Sequence, residues 1–336
     1  MSTSTPMDSI KALSAKELIE CDTPQPGWII DDFILERGIT IIGGPTASLK
    51  SMISLHAALT SCFEIEFFGR QANKVPIVYL DAENNTGVEK DRLSKLANGL
   101  SLFKDIQEKD PQLYFVNYSN FKFVKSCRQL FEEEIVKKYK AKLIVVDTFT
   151  RFFVGEANES KHINQFYEFL KYFCDKYGTS WLILHHTRKG NQAHKNIDDL
   201  RGSSDIAAFA DIVFILEKHS NNFVKLSQVK NRHSEPIENI SVRLISTTDE
   251  SLSLQLDSTK TQNGRENNVK KKKEKCAEEI QNWAKLCNQK VFQSKEIENE
   301  FENSNFKKNC IYDALKALVA SGFFKKETKG TYTLQV

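Results

Sequence analysis

Ile39-Thr40-Ile41-Ile42-Gly43-Gly44-Pro45-Thr46-Ala47-Ser48-Leu49-Lys50-Ser51 is the stretch that decides the fold. β-Branched and apolar residues lead into a Gly/Pro turn and then a Lys-Ser pair, the order of a buried strand, a phosphate-binding loop and the first turn of a helix. The pattern G-x-x-x-x-G-K-[ST] is met at Gly44, Lys50 and Ser51 and broken once, because Leu49 stands where the second glycine belongs. In such a loop the backbone of Gly44, Pro45, Thr46, Ala47, Ser48, Leu49, Lys50 and Ser51 wraps the phosphates of a nucleoside triphosphate. Lys50 reaches the β and γ phosphates and the Ser51 hydroxyl holds Mg²⁺. The helix starting at Lys50 adds its positive N-terminal end. Leu49 is expected to keep negative φ, since a bulky residue at positive φ is an outlier. Met52, Ile53, Leu55, Ala58 and Leu59 follow at helical spacing, a face that packs on a sheet.

Outward from this loop, apolar β-rich runs at Val75 to Leu80, Leu113 to Val116, Leu143 to Val146 and Trp181 to Leu184 alternate with helical segments at Gly87 to Leu100, Lys125 to Tyr139 and Ile163 to Tyr177. Alternation of this kind predicts a mostly parallel α/β sheet with flanking helices. Phe166, Phe169, Leu170 and Phe173 share a helical face and read as core. After Asp211 the pattern changes to strands joined by short turns, Ile212 to Glu217, Phe223 to Val229, Ile237 to Leu244 and Leu252 to Leu256, which predicts antiparallel strands extending the sheet.

Residues 258–275 are polar, carry Lys270-Lys271-Lys272-Lys273 and read as a linker. Beyond it, Ala277 to Gln289, Ser294 to Phe301 and Lys307 to Ser321 are helical, and Phe323 to Glu327 and Thr331 to Val336 form a hairpin around Lys329-Gly330. Three helices and a hairpin resemble a winged helix-turn-helix. Ala314, Leu315, Leu318 and Val319 face inward, which leaves Lys307, Lys308, Asn309, Tyr312 and Lys316 for DNA or a protein partner. The expected organisation is an N-terminal segment over 1–25, an ATPase-type domain over 26–257, the linker over 258–275 and the small domain over 276–336.

With 336 residues, two domains are the prior, and an apolar share of 40% with a charged share of 27% is that of a globular protein. No apolar run suggests a membrane span, and Met1 to Asp8 lacks the basic start and apolar core of a signal peptide, so an intracellular protein is expected. The seven cysteines show no C-x-x-C spacing and indicate neither a zinc site nor a disulfide framework. The net charge of +3 is uneven, because from Arg265 onward fifteen Lys/Arg stand against ten Asp/Glu. A basic C-terminal end points mildly to nucleic acid.

Three further motifs carry chemistry. Val75-Pro76-Ile77-Val78-Tyr79-Leu80-Asp81-Ala82-Glu83-Asn84 is a strand ending in carboxylates, on the side where ligands bind in open α/β sheets. Asp81 and Glu83 share a face if the strand extends that far; Glu83 could activate the attacking water, and Asp81 could instead cap the turn. Lys142-Leu143-Ile144-Val145-Val146-Asp147-Thr148 has the form of a Walker B strand, which puts Asp147 on Mg²⁺ opposite Ser51. Trp181-Leu182-Ile183-Leu184-His185-His186-Thr187-Arg188-Lys189 ends a strand with two histidines that point to opposite faces, one sensing phosphate and the other packing. Gly190 to Asn196 is a polar candidate for a substrate-contacting loop.

These residues, over roughly Pro26 to Leu256, resemble RecA-fold ATPases of the RepA-type hexameric helicase branch, with DnaB-type helicases and RecA-type recombinases as relatives. Pro26-Gly27-Trp28-Ile29-Ile30 looks like the lead-in segment of that family. Leu80-Asp81-Ala82-Glu83-Asn84 is similar to the strand end that supplies its catalytic glutamate, here Glu83. Leu184-His185-His186-Thr187-Arg188-Lys189 looks like its sensor, in which a histidine, here His186, reads the γ phosphate. Arg201-Gly202-Ser203-Ser204 with Ala210-Asp211 resembles the R-G-S-S element, which makes Arg201 a candidate arginine finger. Lys230-Asn231-Arg232 is similar to the K-x-R of DnaB-type helicases, which reaches a neighbouring subunit's nucleotide. Lying two apart on a strand, Lys230 and Arg232 point the same way. The resemblance implies ATP and Mg²⁺ as cofactors, a homo-oligomeric ring, single-stranded DNA as substrate, and double-stranded DNA or replication proteins as partners of the winged helix. The alternative is an ATP-dependent regulatory or adaptor protein that binds DNA without unwinding it.

Overall fold

The computed structural model describes residues 12–20, 27–117, 121–156, 159–187, 200, 204–257, 276–287, 289–301, 308–328 and 330–335. The expected roles of Arg201 and of Gly190 to Asn196, and the linker at 258–275, lie outside these residues. The chain forms two compact units, Met1–Leu256 and Asp257–Val336.

In the first unit, helix α1 (Ala15–Glu20) precedes a small antiparallel ribbon, β1 (Trp28–Ile30) with β2 (Ile34–Leu35). There follow β3 (Ile39–Gly44), α2 (Lys50–Phe63), β4 (Ile77–Asp81), α3 (Thr86–Gly99), α4 (Phe103–Lys109) and β5 (Leu113–Val116). A segment expected to be one helix is built of three kinds of turn, a 3₁₀ turn at Lys125–Cys127, α5 (Arg128–Phe131) and a π-helical stretch at Glu132–Lys137. Next come β6 (Leu143–Asp147), α6 (Phe149–Phe152), α7 (Ser160–Tyr177), β7 (Ser180–His186), α8 (Ser204–Phe209), β8 (Ile212–Lys218), β9 (Phe223–Asn231), β10 (Ile240–Thr248) and β11 (Ser251–Leu256).

These strands make one nine-stranded sheet in the order β11-β10-β9-β8-β3-β7-β6-β4-β5. The six strands from β8 to β5 run parallel, and β9, β10 and β11 are antiparallel, as the sequence predicts. Parallel strands read as unbroken apolar runs because helices cover both of their faces. Successive side chains therefore enter different cores. Ile42, Leu182 and Val145 pack with Met52, Ile53, Leu55 and Leu59 of α2. Their neighbours Ile41, Ile183 and Val146 pack on the other face with Phe166, Phe169, Leu170 and Phe173 of α7, the expected aromatic stripe.

Two contacts fix elements that frame the site. Glu132, at the start of the π-helical stretch, accepts hydrogen bonds from the Tyr172 and Tyr177 hydroxyls at 2.7 and 2.5 Å and from Lys176 at 3.2 Å, which ties that stretch to α7. Burial alone would raise the Glu132 carboxyl, but these donors together with Lys137 hold it down to about 2. At the C-terminal end of α3, a Cβ on Gly99 would lie 1.9 Å from the Leu252 carbonyl oxygen, so only glycine lets α3 rest on β11.

The second unit has helix α9 over 276–286, β12 (Val291–Gln293), α10 (Ser294–Glu300), α11 (Lys308–Ala320), β13 (Phe324–Thr328) and β14 (Thr331–Leu334). Its antiparallel sheet has the order β12-β14-β13, so the expected hairpin gains a third strand. Phe292 at the centre of β12 enters a core with Ile280, Ile297, Leu315, Leu318 and Phe324. Ala314, Leu315 and Leu318 are buried and Val319 partly so, as expected.

Candidate nucleotide site

The loop after β3 is shaped by close packing. A Cβ on Gly44 would stand 2.7 Å from Ser48 Oγ and 2.9 Å from Leu216 Cβ, and one on Gly43 2.4 Å from Leu200 Cδ2. No larger residue fits either position. Leu49 corrects the sequence expectation: its φ is 62° and its ψ 13°, in the left-handed region, although the residue is bulky. It is the N-cap of α2, its carbonyl accepts the first helical bond from Ile53, and its side chain packs against the buried cluster under α2. That packing offsets a backbone cost of about 1–2 kcal/mol.

Lys50 is 7% exposed, and its ammonium donates to Gly44 O at 3.0 Å, Pro45 O at 2.7 Å and Ser48 Oγ at 3.4 Å. Among the described residues it makes no ion pair. Burial lowers its pKa to about 8, opposed by the charges of Asp147 and Glu83. A buried cation bonded only to neutral oxygens has attraction to spare for an anion.

Asp147 ends β6 and is 2% exposed. Burial lifts its pKa to about 6, hydrogen bonds from Ser51 and Tyr79 pull it back, and nearby Asp81 raises it again. A buried carboxylate and a serine hydroxyl at the head of α2 are hard oxygen donors of the type Mg²⁺ takes. Together with the close-packed Gly44 turn and the buried Lys50 bonded to neutral oxygens, the residues fit a nucleoside triphosphate with Mg²⁺. Among the described residues no group of three or more His, Cys, Asp or Glu could hold a metal by itself.

β4 stops at Asp81, so Asp81 and Glu83 do not share a strand face. Asp81 instead holds the turn, its Oδ1 accepting the Glu83 and Asn84 amides at 2.7 and 2.9 Å. The turn brings the Glu83 carboxylate to 3.8 Å from His186 Nε2 and 4.0 Å from Arg151 Nε. Arg151, four residues beyond Asp147 on α6, was not singled out in the sequence, where an exposed arginine on a short helix carries no signal.

The two histidines face different surroundings. His185 is 1% exposed and lies against Phe149 with ring centroids 4.6 Å apart. His186 is opposite Gly44 in the β3–β7 register and turns towards Glu83. Gly44 to Ser51, Glu83, Asp147 and His186 thus gather where the parallel strands end, the ligand side of such sheets.

Lys230 and Arg232 lie elsewhere. β9 runs antiparallel to β8, with Lys230 opposite Val213 and Asn231 opposite Ile212, so the pair sits where β3 and β8 begin. The run from Ile39 to Gly44 separates the two edges by roughly 16 Å. Lys230 Nζ donates to Ala207 O at 2.8 Å and Ala208 O at 2.9 Å, and the Arg232 guanidinium also meets Ala208 O, so the two point the same way, onto the C-terminal carbonyls of α8. Asp211 steadies them: its Oδ2 accepts the Ile39 amide at 2.9 Å and its Oδ1 lies 3.5 Å from Arg232 Nη1. Burial, then Arg232, lowers Lys230 to about 8. Arg37, Lys171, Asp211, Arg232 and His233 border a pocket of about 410 Å³ at this edge.

Several solved structures are similar to the chain. One, described as an ATPase domain, is 15% identical with a TM-score of 0.46, over 62% of this chain and 82% of that one. A DnaB-like replicative helicase, described with its interactions with primase, is 15% identical with a TM-score of 0.49, over 66% of this chain and 57% of that one, less than two thirds of its length. The RadB recombinase is 15% identical with a TM-score of 0.46, over 65% of this chain and 91% of that one. No curated protein matches the chain in sequence. The profile of the AAA domain family AAA_25 matches residues 4–192, more than half of the chain. The chain belongs to this AAA domain family.

Proposed function

We propose that the chain is one subunit of a hexameric, Mg-ATP-driven motor that moves along single-stranded DNA as replicative helicases do. The observation that carries this is the separation of the phosphate-seeking groups. Lys50 is at the edge where the strands end, and Lys230 with Arg232 at the edge where they begin, too far away to serve their own loop. Heterologous contacts that close into a ring bring opposite faces of neighbouring subunits together, so each site takes its loop from one subunit and its Lys230/Arg232 pair from the next.

Bound Mg-ATP supplies the γ-phosphoryl group and a cation that neutralises charge growing on its oxygens. Within one subunit, Lys50 and the amides of the 44–51 loop hold the phosphates, and Ser51 and Asp147 hold the metal. Glu83 orients and accepts a proton from the attacking water. His186, beside Glu83, reads the γ phosphate, and Arg201 is the candidate arginine finger. The second unit is a winged helix separated from the ATPase domain by a linker at 258–275. Its exposed Lys290, Lys295, Lys316, Lys325 and Lys326 favour double-stranded DNA or an acidic replication partner.

Leu49 at positive φ favours a second reading, a regulatory or adaptor ATPase that turns over slowly and unwinds nothing. ATPase rates with and without single-stranded DNA, beside sedimentation of the protein, separate the two. The motor reading expects hydrolysis stimulated several-fold by DNA in an oligomer. A flat rate across the titration, from a protein that stays monomeric, overturns it.

A further inference from the structure

Tyr79 lies in β4, two residues before the strand ends, and none of the motifs uses it. Its ring is buried and stacks with Phe115, centroids 5.5 Å apart. Its hydroxyl stands among three oxygens, Ser54 Oγ at 2.8 Å, Asp147 Oδ2 at 3.1 Å and the Ser51 carbonyl at 3.5 Å. Ser54, on the next turn of α2, also lies 3.0 Å from the Ser51 carbonyl. The register explains the reach: Tyr79 is opposite Val145, and Asp147 follows Val145 on the same face of β6.

Counting protons orders this cluster. Tyr79 and Ser54 bring one hydroxyl proton each, and an ionised Asp147 only accepts. If Ser54 donates to the Ser51 carbonyl and Tyr79 to Asp147, two hydroxyl oxygens face each other at 2.8 Å with no proton between them. A chain in which Ser54 donates to Tyr79 and Tyr79 donates to Asp147 places a proton in each of those two contacts. The Ser51 carbonyl then keeps its helical partner. The final bond of the chain ends on a buried carboxylate, the stronger class of hydrogen bond.

We propose that Ser54 and Tyr79 form a hydrogen-bond relay that fixes the Asp147 carboxylate in the orientation that meets Mg²⁺ opposite Ser51, which makes Tyr79 a positioning residue of the metal site. The relay rests on the reading of Ser51 and Asp147 as the Mg²⁺ ligands. It joins β4 and β6 to the helix that carries Ser51, so the Asp147 carboxylate is tied to α2 through one buried phenol. With the hydroxyl removed, Asp147 keeps its charge and place in the chain but loses the hydrogen bond that fixes its Oδ2.

Equilibrium titration of a fluorescent ATP analogue over a series of Mg²⁺ concentrations tests this, with Tyr79→Phe and Ser54→Ala beside the wild type and thermal unfolding as the control. In Tyr79→Phe the Mg²⁺ concentration giving half of the metal-dependent gain in affinity is expected to rise about tenfold, the effect of losing one charge-assisted hydrogen bond. Affinity without Mg²⁺ is expected to stay within about twofold of the wild type, a split that general loosening of the fold would not give. Ser54→Ala should shift the same midpoint in the same direction by less, and it carries the test if Tyr79→Phe does not fold. An unchanged Mg²⁺ midpoint in a folded Tyr79→Phe, or in Ser54→Ala when that variant stands in, overturns the relay. If wild type binds nucleotide with no Mg²⁺ enhancement, the metal-site reading itself falls and the relay with it. If wild type shows the enhancement and the variants match it, only the relay falls.

Discussion

At one edge of the parallel sheet Lys50 is buried among loop carbonyls and makes no ion pair among the described residues, and at the other edge Lys230 and Arg232 are partly exposed, held by the α8 carbonyls and by Asp211. Both lysines are pushed down to about 8, and in each case burial is the leading cause. What differs is what surrounds them. Lys50 stands inside a concave loop of its own chain, beside Ser51, Asp147 and Glu83, and so is built to receive a ligand there. Lys230 and Arg232 are braced against the α8 carbonyls and Asp211 at the edge where the strands begin. In the proposed motor each edge supplies one half of a site shared between neighbouring subunits.

Glu83→Gln should separate chemistry from binding at the strand-end edge. Nucleotide affinity is expected within a few-fold of the wild type and turnover lower by about 10²–10⁴. Steady-state rates and equilibrium titration together check this, and a turnover loss under threefold removes Glu83 from the chemistry. Lys50→Ala should weaken nucleotide binding by about a hundredfold, whereas Arg232→Ala should leave the affinity of dilute subunits almost unchanged. Equal losses in the two variants would erase the distinction between the edges.

Gly99→Ala probes the support of Glu83, since α3 follows the Glu83 turn directly. The added methyl meets the Leu252 carbonyl, and a loss of about 3 kcal/mol in unfolding free energy is expected. Denaturant titration reads it, and a change below ~0.5 kcal/mol would mean that α3 yields easily.

The smallest effect is one of pH. With Lys50 at about 8 in the free protein and raised by a bound phosphate, affinity should be level below pH 8, where the amine is charged in both forms. Above pH 8 binding must take up a proton, and affinity should fall towards tenfold per pH unit. Binding calorimetry in buffers of different ionisation heat detects that proton. Affinity that stays level to pH 9.5 contradicts a Lys50 held low by burial.

The parts of this arrangement that depend on neighbours in sequence were legible there. The P-loop, Asp147 at the end of an apolar run and the opposed histidines need only a strand, its period of two and a turn. What depended on partners far along the chain was not. The φ of Leu49 is set by the core beneath α2, and the approach of Arg151 to Glu83 by a turn that Asp81 holds. Tyr79 reads as one more apolar strand residue until β6 brings Asp147 to its hydroxyl. The position of Lys230 and Arg232 follows from β9 running back along β8, a pairing visible in the sequence only as a change of rhythm.

Mixing Lys50→Ala with Arg232→Ala tests the two-edge account most directly. Each variant alone should hydrolyse ATP at a small fraction of the wild-type rate. In rings assembled from an equal mixture, roughly one interface in four joins an intact loop to an intact Arg232, so the account predicts recovery of up to about a quarter of wild-type activity. Activity no higher than the sum of the two variants, in rings shown to contain both, would contradict it.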